Sequence, residues 1–260
     1  MATVFHSPAV TSMEALRGLV GRDAASSDTA VRLCELGQYR LLPRGGELQA
    51  DPQDDHLVFI AEGAAKLLGC SVPVPMNRRD GFALSARECR KNIHILAFHF
   101  RGEIVSVPQK SKDDFRLAAL CDMDVIVFSA NRFLDIAQDD PTVIRNVLTR
   151  SLEALHRSRT RMLQIGHQSA RQRVASFLVA MAERLCCCAD GACELVLPMS
   201  RGDIGDSLGL TIETVSRQFA DLRAEGLITT HGRSIVRLMD IGRLIGETSR
   251  SAKPQPHRQT

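Results

Sequence analysis

The chain has 260 residues, of which 44% are hydrophobic and 24% charged, and its formal net charge is +3 at pH 7. This length fits one to two domains, and the composition excludes a disordered chain because it supplies enough apolar surface for a core. No window approaches the roughly 18 uninterrupted apolar residues of a membrane-spanning helix, and the first residues lack the pattern of a secretion signal. We therefore expect a cytoplasmic protein with no membrane partner, whose eight cysteines are reduced.

The first half of the chain changes character once. Residues 1–28 are rich in Ser, Ala and Thr, which predicts a flexible arm. Residues 29–130 contain short apolar runs separated by Gly, Pro and charged residues, a pattern typical of an antiparallel sandwich or barrel. The clearest runs begin at His56, Ala64, Ile93 and Asp124.

Residues 131–166 predict one long helix that pairs with a partner helix. Positions four and three residues apart alternate there as in an a/d seam, at Ile144, Leu148, Ser151, Leu155, Ser158, Met162 and Ile165. We assign Ile144, Leu148, Leu155, Met162 and Ile165 to a dimer interface. A lone amphipathic helix lying on its own domain would give a similar stripe.

Positive charge is concentrated at the same place. Seven arginines and one acid occur between Arg145 and Arg173, a local excess of +6. Such a run is usually a solvated face, but it can also lie along an anionic partner. The run alone does not decide between these interpretations.

The stretch after Pro198 carries the most informative motif. Ser200 and Asp203 form a capping box that opens a short helix, and Gly209 ends that helix. Thr211 is the N-cap of a second helix, which Gly226 stops. Two helices joined by a short turn that contains Gly are typical of a helix-turn-helix.

The second helix predicts one polar and one apolar face. Glu213, Ser216 and Arg217 fall within an arc of about 100°, opposite an apolar stripe. In the major groove Arg217 matches guanine, Glu213 can accept from cytosine, and Ser216 suits either kind of base edge. The alternative is an ordinary surface salt bridge between Glu213 and Arg217.

Residues 227–238 read as two short strands around His231 and Gly232, a β-hairpin wing behind the second helix. Helix, turn, helix and wing together form a DNA-binding module.

These residues carry a family resemblance. The stretch from Leu197 to Arg217 resembles the DNA-binding segment of the CRP/FNR superfamily, and the Glu-x-x-Ser-Arg pattern at Glu213, Ser216 and Arg217 is the signature of its FNR/FixK branch. Residues 55–67 resemble the first hairpin of the family's sensor domain. In all, the resemblance covers about 200 residues, most strongly 169–240.

The resemblance implies an α+β protein in three parts. An N-terminal antiparallel β-roll (a cupin-like jelly roll) at 29–130 is followed by the dimerisation helix at 131–166 and a C-terminal winged helix-turn-helix at 167–245, with a disordered tail at 246–260. The implied function is a homodimeric transcription regulator, more often an activator, that binds a TTGAT-N4-ATCAA-like palindrome in double-stranded DNA. It also implies RNA polymerase as a partner and microaerobic, anaerobic or nitrogen-fixation genes as targets.

Five further residues are expected to contact the DNA backbone, namely Ser200, Arg201, Thr211, Thr214 and Arg233. We expect no enzyme, because the chain has no nucleophile elbow, P-loop, HExxH or paired-carboxylate motif.

No cofactor or metal is expected. Arg116 is followed by Leu rather than by the Ser or Thr of cyclic-nucleotide-binding members. Only Cys34 precedes Cys70, so the N-terminal cysteine group of the iron–sulfur members is absent. His94 and His99 could suggest haem, but lone histidines on strands are more often core or surface residues.

A cysteine group remains, made of Cys186, Cys187, Cys188 and Cys193. It lacks the C-x2-C spacing of a zinc site. One interpretation is a redox switch, in which a sulfenate adds negative charge near bound DNA; the other is a set of small buried thiols. The alternative function is accordingly a ligand-gated or redox-gated regulator, in which the roll binds a small molecule or these cysteines switch DNA binding.

Overall fold

The computed structural model describes residues 28–49, 53–70, 93–109 and 114–249, with single residues at positions 16, 20, 51 and 111. The chain divides into two compact units, Met1–His156 and Arg157–Thr260. Within the described ranges, no helix is long and apolar enough to cross a lipid bilayer.

The first unit contains two antiparallel sheets. One has the order β1-β7-β2-β5 and the other the order β4-β3-β6. The strands are β1 (Gln38–Leu42), β2 (His56–Glu62), β3 (Ala64–Cys70), β4 (Ile93–Phe100), β5 (Ile104–Val107), β6 (Asp114–Ala119) and β7 (Met123–Ser129). The predicted antiparallel sandwich is confirmed, and the four apolar runs named from the sequence lie in β2, β3, β4 and β7.

Alternation along β2 explains how this unit is layered. Val58 and Ile60 face the second sheet, whereas Phe59 between them faces the opposite side. On that opposite side lie the helices α1 (Asp28–Leu36) and α2 (Ala130–Ala137). The rings of Phe128 and Phe133 meet edge to face there, with centroids 5.1 Å apart. Both faces of the first sheet are therefore covered by apolar side chains.

The predicted flexible arm at 1–28 is wrong for two residues. Leu16 and Val20 are helical and fully buried in the cluster between the first sheet and the helices. Apolar residues four apart share one helix face, so this spacing was the available signal. The remaining residues of the arm before position 28 lie outside the described part of the chain.

The single helix predicted over 131–166 is two helices, α2 and α3 (Pro141–His167). Pro141 starts the second one, because a proline disfavours helical geometry at the preceding residue and suits the first helical position. The Asp140 carboxylate accepts hydrogen bonds from the backbone N–H groups of Thr142 and Val143, at 2.9 and 3.4 Å. Asp140 thus caps a new helix N-terminus.

The second unit combines helices with a small antiparallel sheet of order β8-β10-β9. Its elements after α3 are α4 (Ala170–Cys186), β8 (Cys193–Val196), α5 (Arg201–Leu208), α6 (Ile212–Ala224), β9 (Ile228–His231), β10 (Ile235–Leu238) and α7 (Ile241–Ser249). The predicted hairpin is β9–β10, and β8 is a third strand that the sequence interpretation missed. The predicted tail begins too early, because residues 246–249 are helical and Glu247 is buried.

Candidate nucleic-acid interface

The helix-turn-helix begins with the predicted capping box. The Ser200 hydroxyl accepts a hydrogen bond from the Asp203 backbone N–H at 3.1 Å, and the Asp203 carboxylate accepts one from the Ser200 backbone N–H at 2.9 Å. Two of the unpaired N–H groups at the start of α5 are satisfied in this way.

The turn after α5 depends on two glycines. Gly209 ends the helix in the left-handed region with φ of 64°, where glycine carries no steric penalty. A Cβ at Gly205 would lie 2.7 Å from the Leu210 carbonyl oxygen, so any side chain there would collide with the turn. The tight path from α5 to α6 therefore requires glycine at both positions.

Thr211 caps the second helix as predicted, because its hydroxyl accepts a hydrogen bond from the Thr214 backbone N–H at 3.2 Å. Gly226, with φ of 68°, follows the last turn. The buried side chains of α6 are Val215, Phe219 and Leu222, as the helical spacing predicts.

The opposite face of α6 presents the predicted trio Glu213, Ser216 and Arg217, all exposed. Among the described residues, the side chains of Ser216 and Arg217 make no hydrogen bond or ion pair, so the alternative salt bridge between Glu213 and Arg217 does not form. A hydrogen bond from the backbone N–H of Glu213 and another from the Thr211 hydroxyl lower the pKa of the Glu213 carboxyl. An ionised acceptor, a hydroxyl and a free guanidinium therefore stand side by side.

One candidate was missed by the sequence interpretation. Ile212, the first residue of α6, is 49% exposed, which is unusual for an isoleucine beside a buried helix face. It lies four residues before Ser216 and so on the same side of the helix. Helical spacing places Ile212 within about 20° of the buried Phe219, so the sequence pattern gave no signal that it is exposed.

The candidate backbone contacts have different surroundings. Ser200 and Thr211 are exposed but hold the two N-caps, and the Thr214 hydroxyl lies 3.1 Å from that of Thr211. Arg233 is exposed in the turn between β9 and β10. These four side chains lie at helix starts or at the wing, where phosphate contacts commonly occur.

Arg201 occupies a different environment. Its guanidinium carbon lies 3.4 Å from the centroid of the Phe219 ring, a cation–π contact inside the module. Burial lowers the pKa of Arg201 to about 10. This packing does not support the predicted phosphate contact, and gives Arg201 a role in joining α5 to α6.

Part of the arginine run is also bonded within its own unit. The Arg171 guanidinium binds both oxygens of Glu225 at 2.8 and 2.6 Å and one oxygen of Glu247 at 2.7 Å. Arg173 donates to three backbone carbonyls. These two arginines hold helices together, a role that the charge count could not reveal because the partners are distant in sequence.

The seam of α3 is mostly exposed. Leu148, Leu155, Met162 and Ile165 all expose large apolar side chains, and Met162 is 69% exposed. Ile144 is the exception, because it packs against the core of the first unit. Leu152 and Leu163 are exposed apolar residues of the same helix that the seam did not include.

The predicted cysteine group is partly clustered. The Cys186 thiol donates to the Glu194 carbonyl at 3.3 Å, and the Cys188 thiol donates to the Cys186 carbonyl at 3.4 Å. Cys193 is buried in β8, whereas Cys187 is exposed. Burial, together with the nearby thiols of Cys186 and Cys188, raises the pKa of Cys193 to about 12. In the sheet, Cys193 pairs with Leu238, at the end of β10 away from the wing turn. The redox assignment stays a prediction.

Arg116 and His99 of the first unit are the residues that the sequence analysis weighed for a cyclic nucleotide and for haem. The Arg116 guanidinium pairs with Asp114, at 2.9 Å from Nε, and with Glu47 at 3.6 Å. His99 is buried, with Nδ1 2.9 Å from Glu103 Oε2, and its Nε2 has no hydrogen-bond partner among the described residues.

Comparison with known proteins agrees with this geometry. Residues 172–246 match the Crp-like helix-turn-helix domain. The transcriptional activatory protein AadR of Rhodopseudomonas palustris is 33% identical over 186 residues, which cover 72% of this chain and 71% of that protein. The nitrogen fixation regulation protein FixK of Bradyrhizobium diazoefficiens is 33% identical over 151 residues, and the activator FnrL of Cereibacter sphaeroides 32% over 149. The matches to FixK and FnrL span 63% and 60% of the length of those proteins.

Among solved structures, FixK2 from Bradyrhizobium japonicum matches with a TM-score of 0.64 and 26% identity, covering 83% of this chain and 99% of that one. A CooA variant from Carboxydothermus hydrogenoformans shares the fold, with a TM-score of 0.68 at 17% identity over 88% of this chain and 94% of that one.

An antiparallel double sheet, a long helix and a winged helix-turn-helix with an exposed polar trio define a class, the transcription regulators with a sensor-like roll and a DNA-reading module. Within that class the chain belongs to the CRP/FNR family, in its FNR/FixK branch.

Proposed function

We propose that the protein is a sequence-specific regulator that binds double-stranded DNA as a homodimer, on a palindrome related to TTGAT-N4-ATCAA. The observation that carries this proposal is the exposed trio Glu213, Ser216 and Arg217 on a helix capped at both ends. Because the side chains of Ser216 and Arg217 have no partner among the described residues, their hydrogen-bonding groups face solvent and are available to a ligand.

The chemistry of the trio fits the base edges of that palindrome. Arg217 can bind the O6 and N7 atoms of guanine as a bidentate pair, and the Glu213 carboxylate can accept from the N4 amino group of the paired cytosine. Ser216 suits a neighbouring base, and the exposed Ile212 suits a thymine methyl group. A G·C pair flanked by T·A pairs thus meets a matching set of side chains.

The homodimer is supported by the exposed seam on α3. Leu148, Leu155, Met162 and Ile165 follow heptad spacing on a helix of 27 residues, so pairing with a second copy would bury them. Two copies related by a two-fold axis also match a palindromic site. We assign Ile144 to the core of its own unit rather than to this interface.

The biological role is proposed from the relatives. Their names describe nitrogen fixation regulation and transcriptional activation. We infer an activator of microaerobic, anaerobic or nitrogen-fixation genes that works through contact with RNA polymerase.

The proposal is tested by binding of purified protein to the palindrome and to a duplex with the G·C pair exchanged. Arg217→Ala is expected to lose about 1–3 kcal/mol of discrimination at that pair. Arg145→Ala, which removes an exposed arginine of α3, is the charge-matched control and should keep the discrimination. An unchanged ratio of specific to exchanged binding in Arg217→Ala would contradict the base-reading assignment.

A second candidate is redox control through the cysteine group. The thiols of Cys186, Cys188 and Cys193 lie together, which favours chemistry among them. The raised pKa of Cys193 keeps it a protonated thiol near neutral pH, where such thiols react slowly with peroxide. We therefore favour a binder that is active without this switch. Equal peroxide sensitivity of DNA binding in wild type and in a variant with all four cysteines changed to Ala would exclude the switch.

A further inference from the structure

The first turn of α4 carries an arginine that bonds only to the main chain. Arg173 donates from Nη2 to the Ile165 carbonyl at 2.8 Å, from Nε to the Gln168 carbonyl at 3.0 Å, and from Nη1 to the Leu208 carbonyl at 3.0 Å. Ile165 belongs to the last turn of α3, and Leu208 is the last residue of α5. The last carbonyls of a helix lack partners within the helix, and the helix dipole favours a cation beside them.

Arg173 is the last of the seven arginines between positions 145 and 173, but its hydrogen bonds argue against a contact with DNA phosphate. Its three nitrogens all donate to carbonyls of its own unit, and the side chain is half-buried. The rigid fork of a guanidinium can hold several carbonyls at once, whereas a lysine ammonium is a point charge on a flexible stem. Arg173 is thus built into the junction between two helix ends.

Arg171, on the same turn, holds the other side of the helix-turn-helix. It binds Glu225, the C-cap of α6, and Glu247 of α7. The first turn of α4 consequently holds the ends of α5 and α6, and Arg173 alone of the two also bonds to the end of α3.

We propose that Arg173 is a positioning residue that fixes the angle between α3 and the helix-turn-helix, and thereby sets the half-site spacing that the protein accepts. This inference rests on the proposed function, in which two copies paired through α3 read a palindrome. In such dimers the distance between half-sites is a geometric property of the protein. One added base pair turns a half-site by about 34° around the duplex, so a rigid junction rejects it.

The test measures affinity for palindromes with central spacers of three, four and five base pairs, and for a duplex with one half-site. Wild type is expected to prefer one spacer by about tenfold or more, since the wrong rotation removes one set of contacts. Arg173→Gln and Arg173→Lys are expected to flatten that preference to within about threefold, while one-half-site binding stays within about twofold. Arg159→Gln, which removes an exposed arginine of the same run, is the matched control and should keep the wild-type preference.

The outcomes separate the claims. A wild type that binds palindromes no better than random duplex would overturn the proposed function. A wild-type spacer preference retained by both Arg173 variants would overturn the positioning role alone. So would an equal loss on every duplex with a smaller salt dependence, because that pattern belongs to a phosphate contact. Melting temperatures identify a variant that fails to fold, and in that case Arg173→Lys, which keeps the charge, decides the question.

Discussion

The two units hold their helices in different ways. In the first unit, α1 and α2 are fixed on the sheet by apolar side chains such as Phe59, Phe128 and Phe133, and the ion pair of Arg32 with Asp139 lies at the surface. In the second unit an apolar core is supplemented by the guanidinium of Arg171, which bonds a nearly buried carboxylate. Arginines in a positively charged run can therefore form ion pairs that stabilise their own unit. A concentration of positive charge does not by itself identify a surface for an anionic partner.

The largest expected effect is on the free energy of unfolding of the first unit, whose helices are held by apolar contacts. Phe59 is 1% exposed, and Phe59→Ala should destabilise the first unit by about 3–5 kcal/mol through the lost burial and the cavity. The chain has no Trp and one Tyr, Tyr39 in β1, so tyrosine fluorescence during urea unfolding reports this unit. Leu41→Ala, at a residue that is 70% exposed, should change stability by less than about 0.5 kcal/mol. Equal losses of stability in Phe59→Ala and Leu41→Ala would contradict the conclusion that apolar burial holds the first unit together.

A smaller loss of stability is expected in the second unit, where ion pairs supplement the apolar core. Arg171→Ala removes one ion-pair partner of Glu247, whose side chain is 8% exposed, and should cost the second unit about 2 kcal/mol. Circular dichroism should show that the helices of the second unit unfold at a lower urea concentration, while the fluorescence of Tyr39 in the first unit stays unchanged.

Glu247→Gln and the double variant complete a double-mutant cycle for this pair. Purely additive costs would mean that Arg171 and Glu247 do not stabilise each other.

The smallest expected effect depends on pH. Burial, together with a hydrogen bond to Asp124 and its charge, raises the pKa of Tyr39 to about 12. The fold disfavours the phenolate, so this contribution to stability is fully present below about pH 10 and is lost as pH rises towards 12. At pH 11 the loss should reach about 1 kcal/mol.

Absorbance titration of the single tyrosine measures the pKa directly, and Asp124→Asn should lower it. Tyr39→Phe is the control for alkaline effects on other groups. A tyrosine that titrates near pH 10 would show that its ring is not held by the first unit.

Local patterns were the ones that the sequence could predict. The Ser200–Asp203 box, the Thr211 N-cap and the Gly226 stop involve residues within a few positions of one another, and the structure has all three. The polar trio followed from helical periodicity alone. In the first unit, β2, β3, β4 and β7 followed from continuous apolar runs.

The missed features depend on distant or backbone partners. Arg171 bonds Glu225 and Glu247, 54 and 76 residues away, and Arg173 bonds carbonyl groups that carry no sequence signature. The end of α2 before Pro141 was signalled by the proline itself, but the regular apolar spacing further along favoured one continuous helix. Strand β8 was missed because its four residues, Cys193–Val196, are too few for a clear alternation of apolar and polar side chains.

The free side chains of α6 have a consequence for how this protein can diverge. The side chains of Ser216 and Arg217 have no bonding partner within the described chain, whereas Gly205 in the preceding helix α5 tolerates no side chain at all. If the trio reads bases as proposed, target preference and foldability are encoded at separate positions. On that proposal, a duplicated copy could acquire new target genes by exchanging Ser216 and Arg217, at almost no cost to its folded state.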